Sequence, residues 1–284
     1  MQVTEILAAF KYYDGTYKRS AVEAAIANQQ EIVPHLIEIL MALRDDPGPF
    51  FDEENRVDHI YAAILLAYFK AVEAHEAIVD VFSMPDEIPS DLFSDVITED
   101  LPWILFQTCG GSLEKIKSLV LNRAAYEFCR WSAADAMVYA VLEGIAEREA
   151  VLDFFATLFT GQEAEEDSCF WEGITACMHD LYPEEVMPTI LKAFEEERID
   201  GSFLDLEGFE EVLAEGKESV LARTRAEKDR YLNQDIHQKL STWASDEPFF
   251  LPNSEPPKAS VKKQKTKKKR KRKAAKASRR KNRR

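Results

Sequence analysis

No stretch of this chain approaches ~18–20 uncharged apolar residues, which excludes a membrane-spanning helix. The opening residues, MQVTEILAAFKYYDG, carry an acid early and lack both a basic run and a cleavage-site pattern, so they do not read as a secretory signal. Cysteine is scarce. Cys109, Cys129, Cys169 and Cys177 stand in apolar surroundings without paired spacing, which fits reduced thiols better than a disulfide frame. These absences point to a soluble, cytoplasmic protein. The patterns G-x-x-x-x-G-K-[ST], G-x-S-x-G and H-E-x-x-H are also missing, leaving no residue to assign to catalysis and no cofactor to expect. Cys169, Cys177 and His179 lack C-x₂₋₄-C spacing, and on a helix Cys177 and His179 point about 200° apart, so a closed metal site is not expected.

What is present is an uneven charge. Of the 36 Lys and Arg, 17 lie between Lys258 and Arg284, a segment with no Asp or Glu. The preceding 257 residues hold the other 19 against all 51 acids, so the formal −15 combines about −32 with about +17. A block of like charge this dense cannot bury itself and reads as a disordered tail. Its candidate polyanion-binding residues are Lys262, Lys263, Lys265, Lys267, Lys268, Lys269, Arg270, Lys271, Arg272, Lys273, Arg279 and Arg280. The tail has no aromatic residue for base stacking, which favours sequence-independent binding to nucleic acid or ribosomes. Residues 244–257 contain four prolines and form the linker.

The acidic part repeats itself. Ala67–Phe82, AYFKAVEAHEAIVDVF, aligns without gaps to Ala140–Phe155, AVLEGIAEREAVLDFF, at an offset of 73. Further copies anchor on Gln30, Glu114 and Glu184, and with Glu76 and Glu149 the spacings are 46, 38, 35 and 35. Each unit reads as two helices, with apolar stripes such as Val151/Leu152, Phe155 and Leu158/Phe159. Ser20-x-x-Glu23 has the form of a capping box, and Gly110-Gly111-Ser112 supplies an N-cap. A helix pair this short cannot cover its own apolar face, so neighbouring units stack. The expected fold is all-α: a HEAT-like solenoid of about five helix pairs over 1–243, then the linker and the tail. The polar stretch after Gly216 is expected to form a terminal helix over the last repeat.

The segments VTEDLPWILFQTCGG, CRWSAADAMVYAV, DLYPEEVMPTILKAFEEERID and FEEVLAEGKESVL resemble a bacterial family known as domain of unknown function 1186, over roughly 1–245. The resemblance implies a HEAT-like helical body and assigns no catalytic residue. Some members end in a Cys-rich SEC-C zinc motif, whereas this chain has no cysteine beyond Cys177.

Two candidates for protein contact remain. Phe50 and Phe51 stand side by side in an insertion, Arg44–Asn55, read as a loop with no helical face to hide them. Trp103, Trp131 and Trp171 recur near helix starts and read first as packing, second as a binding ridge. His35, His59, His75 and His237 read as surface or capping residues, and the acidic clusters at Asp45–Glu54, Glu163–Asp167 and Asp200–Glu211 as solvated loops. The leading expectation is a non-enzymatic scaffold that binds a protein, a basic one being suited to the acidic body, and reaches a polyanion through its tail. Two alternatives stay open: a switch in which the tail binds the acidic body, and an enzyme on a helical array.

Overall fold

Every regular element among the described residues is helical. The structure, a computed structural model, describes residues 1–243 except 86, 167 and 202. In chain order the α-helices are α1 (Val3–Lys11), α2 (Arg19–Ala27), α3 (Gln29–Asp45), α4 (Gly48–Asp52), α5 (Asp58–Tyr68), α6 (His75–Phe82), α7 (Ile88–Phe93), α8 (Val96–Glu99) and α9 (Leu101–Thr108). They continue with α10 (Glu114–Leu121), α11 (Glu127–Leu142), α12 (Arg148–Ala156), α13 (Phe170–Asp180), α14 (Met187–Glu195), α15 (Leu206–Glu215), α16 (Lys217–Leu232) and α17 (Ile236–Trp243). Among the described residues there is no strand, only isolated bridges at Tyr12–Arg56 and Pro85–Ala125.

The repeat anchors fall at one structural position. Gln30, Glu76, Glu114 and Glu149 lie in the first turn of α3, α6, α10 and α12, and Glu184 opens the short turn that leads into α14. α6, α10, α12 and α14 each follow a partner that buries more of its residues, namely α5, α9, α11 and α13. α5 buries every residue from Tyr61 to Ala67, and α11 buries most of its length, as expected of helices with neighbours on all sides. α5 packs on α9, α9 on α11 and α11 on α13, while α3 packs on α6 and α6 on α10. One hydrophobic cluster runs from Ile6 to Leu240.

Polar links join neighbouring units at a separation close to the repeat length. His59 Nε2 bonds the Leu92 carbonyl oxygen at 2.9 Å, and Arg130 Nη1 donates to that of Glu163 at 2.9 Å, each across 33 residues. Asn122 reaches back 39 residues to the carbonyl oxygen of Ser83 at 3.2 Å. His75 and Arg148, equivalent residues 73 apart, both reach the end of the next unit's first helix. His75 bonds Thr108 Oγ1 at 2.9 Å, and Arg148 Nε donates to the Leu181 carbonyl oxygen at 2.6 Å.

Local start signals are corrected by the structure. α2 begins at Arg19, so Ser20 lies inside it and Glu23 pairs with Arg19 at 3.2 Å instead of closing a capping box. α10 starts at Glu114 with Leu113 at the cap, so Ser112 lies one residue too early. Two of the four histidines read as surface or capping residues, His59 and His75, are buried, each with a hydrogen-bond partner in the next unit.

His75 carries a pH prediction. Thr108 Oγ1 donates to the Ile104 carbonyl oxygen at 2.9 Å, so it accepts from His75 Nδ1, and the buried Nε2 has no partner. Burial, reinforced by Lys115, pushes the imidazole down to about 4. The folded state thus holds the neutral ring, whereas the unfolded chain takes up a proton below about 6.5. Stability is expected to fall as pH drops from about 6.5 towards 4, because the unfolded state binds more protons. Thermal midpoints near pH 7 and near pH 5 should differ more for the native chain than for His75→Gln.

Candidate functional site

The C-terminal helices do not stop at the last repeat. α16 is a polar helix with only Val220 and Thr224 buried, and it crosses the first helices of successive units. Thr224 Oγ1 donates to the Asp180 carbonyl oxygen of α13 at 3.0 Å, and one turn on Lys228 meets Asp135 of α11 at 2.5 Å. The chain then turns through Asn233–Asp235 into α17. There Lys239 pairs with Asp100 at the start of α9, its ammonium 4.6 Å from the Trp103 ring centroid, with both side chains almost fully buried at 3% and 5% exposure. His237 Nδ1 lies 2.7 Å from Tyr17 Oη beside α2, and α17 packs on α5. The terminal segment is therefore a strap running from α13 back to α2. It covers far more than the last repeat for which it was expected, because Lys228 and Lys239 find carboxylates on earlier units.

These pairs show how the acidic body accepts cations. Burial works against the Lys228 ammonium, but Asp135, Asp180 and Tyr139 outweigh it and hold Lys228 above the usual lysine range. Burial lifts the Asp135 carboxyl in turn, against the pull of Lys228. Burial also pushes the Tyr17 hydroxyl up to about 12.

Beside the strap lies an open cleft of about 570 Å³. Its walls come from the ends of α5, α9 and α11 and from the last turn of α16, with Glu143 and Asp229 as its acids. The strap contributes Asp229, Leu232 and Asn233 to its lining.

The sequence candidates are distributed elsewhere. Phe50, read as exposed in a loop, is buried. The insertion folds as the short helix α4, which turns Phe50 inward to 6% exposure, with the Arg56 guanidinium 3.6 Å from its ring centroid and His59 edge-on at 5.6 Å. Phe51, on the opposite side of α4, stays 46% exposed. Trp103 and Trp171 are core residues, and the Trp171 indole donates to the Leu158 carbonyl oxygen at 2.8 Å. Trp131 is half-buried over Gly173, where a Cβ would meet the indole at 2.5 Å, and Phe203 stands edge-on to it at 5.3 Å. Cys109, Cys129 and Cys177 are buried thiols, and burial raises all three. Among the described residues no His, Cys, Asp and Glu gather as a metal site. No helix there is long and apolar enough to cross a membrane. Asp205, read as part of a solvated loop, caps α15 by accepting from the Gly208 amide at 3.0 Å. Glu163 is held too, by the Gly161 amide at 2.9 Å. The linker and all twelve polyanion-binding candidates lie outside the described residues.

Residues 1–247 match the family described as "Protein of unknown function (DUF1186)". The chain belongs to this family. An uncharacterised protein of Chlamydia trachomatis serovar D is 30% identical over 250 residues, covering 88% of this chain and 98% of that one. One from Chlamydia muridarum is also 30% identical over 250 residues, covering 88% of this chain and 99% of its own. No solved structure matches. The DUF1186 match takes in the strap as well as the repeats, while the polybasic segment from Lys258 falls outside it. The residues that sequence reasoning missed are Asp100, Asp135, Lys228 and Lys239. Their only sequence signal is the presence of Lys228 and Lys239 in a polar helical stretch.

Proposed function

We propose that this protein is a non-enzymatic interaction scaffold, a HEAT-like solenoid of stacked helix pairs that holds a protein partner while its basic tail tethers it to nucleic acid or a ribosome. The observation that carries the reading is the set of links between units about one repeat apart, His59–Leu92, His75–Thr108, Arg130–Glu163 and Arg148–Leu181. Such a stack behaves as a one-dimensional array and offers extended surface for binding. The buried, high-pKa thiols suit a reducing cytoplasm. In the tail, 17 positive charges without an aromatic residue suit phosphate contacts that carry no sequence readout.

The test compares the full chain with one lacking 258–284, binding labelled single-stranded RNA and duplex DNA of mixed sequence across a salt series. The full chain is expected to lose affinity linearly in log–log form as salt rises, and the truncated chain to lose binding altogether. Affinity that survives truncation, or that ignores salt, refutes tethering. Proteins that copurify with both forms after nuclease treatment are partners of the body. If truncation strengthens their retention, the tail is an autoinhibitory segment.

A further inference from the structure

The cleft beside the strap joins an acidic side to an apolar one. Four helices end at it: Lys70 follows α5, Cys109 caps α9, Glu143 caps α11 and Asn233 caps α16. Each helix C-terminus carries about half a negative charge, with amides such as those of Lys70, Gly144 and Asn233 donating to carbonyls of the last turn. The carboxylates of Glu143 and Asp229 add two more, against the single cation Lys70. The surrounding body deepens this potential, with 48 Asp and Glu against 19 Lys and Arg in residues 1–243.

The same cleft has an apolar side. Val72 and Ile145 remain 53% and 44% exposed at its edge, with Phe106 and Leu232 behind them. Val72 and Ile145 are equivalent residues, 73 apart, in the turns between the helices of two units. Gly110, at φ +58, lets the chain turn beneath Val72, and a Cβ there would strike Val72 at 2.7 Å.

We infer that this cleft docks a segment of a partner protein in which a lysine or arginine stands beside an aliphatic residue. The cation lies among the helix ends with Glu143 and Asp229, and the aliphatic group packs between Val72 and Ile145. The strap contributes Asp229 and Leu232, so the site is complete only when α16 is docked. This deepens the scaffold reading, on which it rests, by naming the surface and the chemistry of the partner.

The probe is a fluorescent nonapeptide of alternating lysine and leucine, titrated against the full chain, with a counterpart in which glutamine replaces lysine. The lysine peptide is expected to bind and the glutamine peptide not. Glu143→Gln with Asp229→Asn should weaken binding about tenfold, the effect of two partly solvated ion pairs. Val72→Ser with Ile145→Ser should also weaken it. Glu207→Gln with Glu210→Gln on the exposed face of α15 removes the same charge and should leave it unchanged. An equal loss in both charge variants, equal binding of both peptides, or no binding overturns the cleft assignment. Circular dichroism and thermal midpoints of each variant separate lost binding from lost folding. None of these outcomes touches the scaffold reading, which falls if no protein copurifies with the body after nuclease treatment.

Discussion

Replacing Lys239 by Met while leaving Asp100 in place is expected to release the C-terminal strap. The Asp100 carboxylate lies beneath α17 at 5% exposure, and removing Lys239 takes away the cation that faces this buried charge. Such a loss costs about 3–5 kcal/mol where the structure cannot relax. Here it can relax, because the strap can lift away and let water reach Asp100. The cost is then capped by the undocking free energy of α16 and α17. That energy is modest, since α16 buries only Val220 and Thr224 and α17 chiefly Ile236, Lys239 and Leu240. Hydrogen exchange should therefore show α17 amides opening about a hundredfold more often, or about 3 kcal/mol, with the amides of α5 and α11 nearly unchanged. The fluorescence of Trp103, now without the ammonium over its ring, should shift in parallel. Combining Lys239→Met with Asp100→Asn should recover most of the protection, because a neutral amide can stay buried without a counter-ion. If single and double variants exchange alike, the pair does not hold the strap.

Arg148→Ala is expected to cost global stability by about 3–5 kcal/mol, read from denaturant midpoints at unchanged m-value. Arg148 is buried, and its guanidinium donates to the carbonyl oxygens of Leu181 and Tyr182 and forms paired contacts with Glu185 at 2.6 and 2.8 Å. It thereby fastens α12 to the turn before α14, where Tyr182 takes a positive φ of 59°. Alanine leaves two buried carbonyl oxygens without a donor, each worth about 1–3 kcal/mol, and removes a side chain that also neutralises Glu149 and Glu185. Arg148→Lys should recover only part of the loss, because one ammonium cannot reproduce the guanidinium's forked set of bonds. A loss confined to the strap, with the midpoint unmoved, would contradict this role.

Much of the helical body is legible in the sequence for a simple reason. Apolar residues at helical spacing, as at Val151, Leu152 and Phe155, have to lie on one face whatever that face packs against. The glutamates that anchor the repeats mark first turns because acids favour helix N-termini. Phe50 escaped the same logic, since the five-residue helix α4 is too short to leave a period and its inward turn depends on Arg56 and His59. His59 and His75 escaped it because a hydrogen-bond partner 33 residues away leaves no mark in the local pattern. The cleft was not legible at all, being assembled from the ends of three helices and the strap.

The amino-acid sequence alone determined the helical class, the repeat of the body and the division of charge between body and tail, all of which follow from spacing and composition along the chain. Only the tertiary structure decided where the C-terminal helices go. Lys228 and Lys239 meet acids 93 and 139 residues away, and the body offers dozens of carboxylates to choose among. Which pair forms depends on where the stack has already placed Asp135 and Asp100, because only a carboxylate beneath the strap can exclude water along with its lysine.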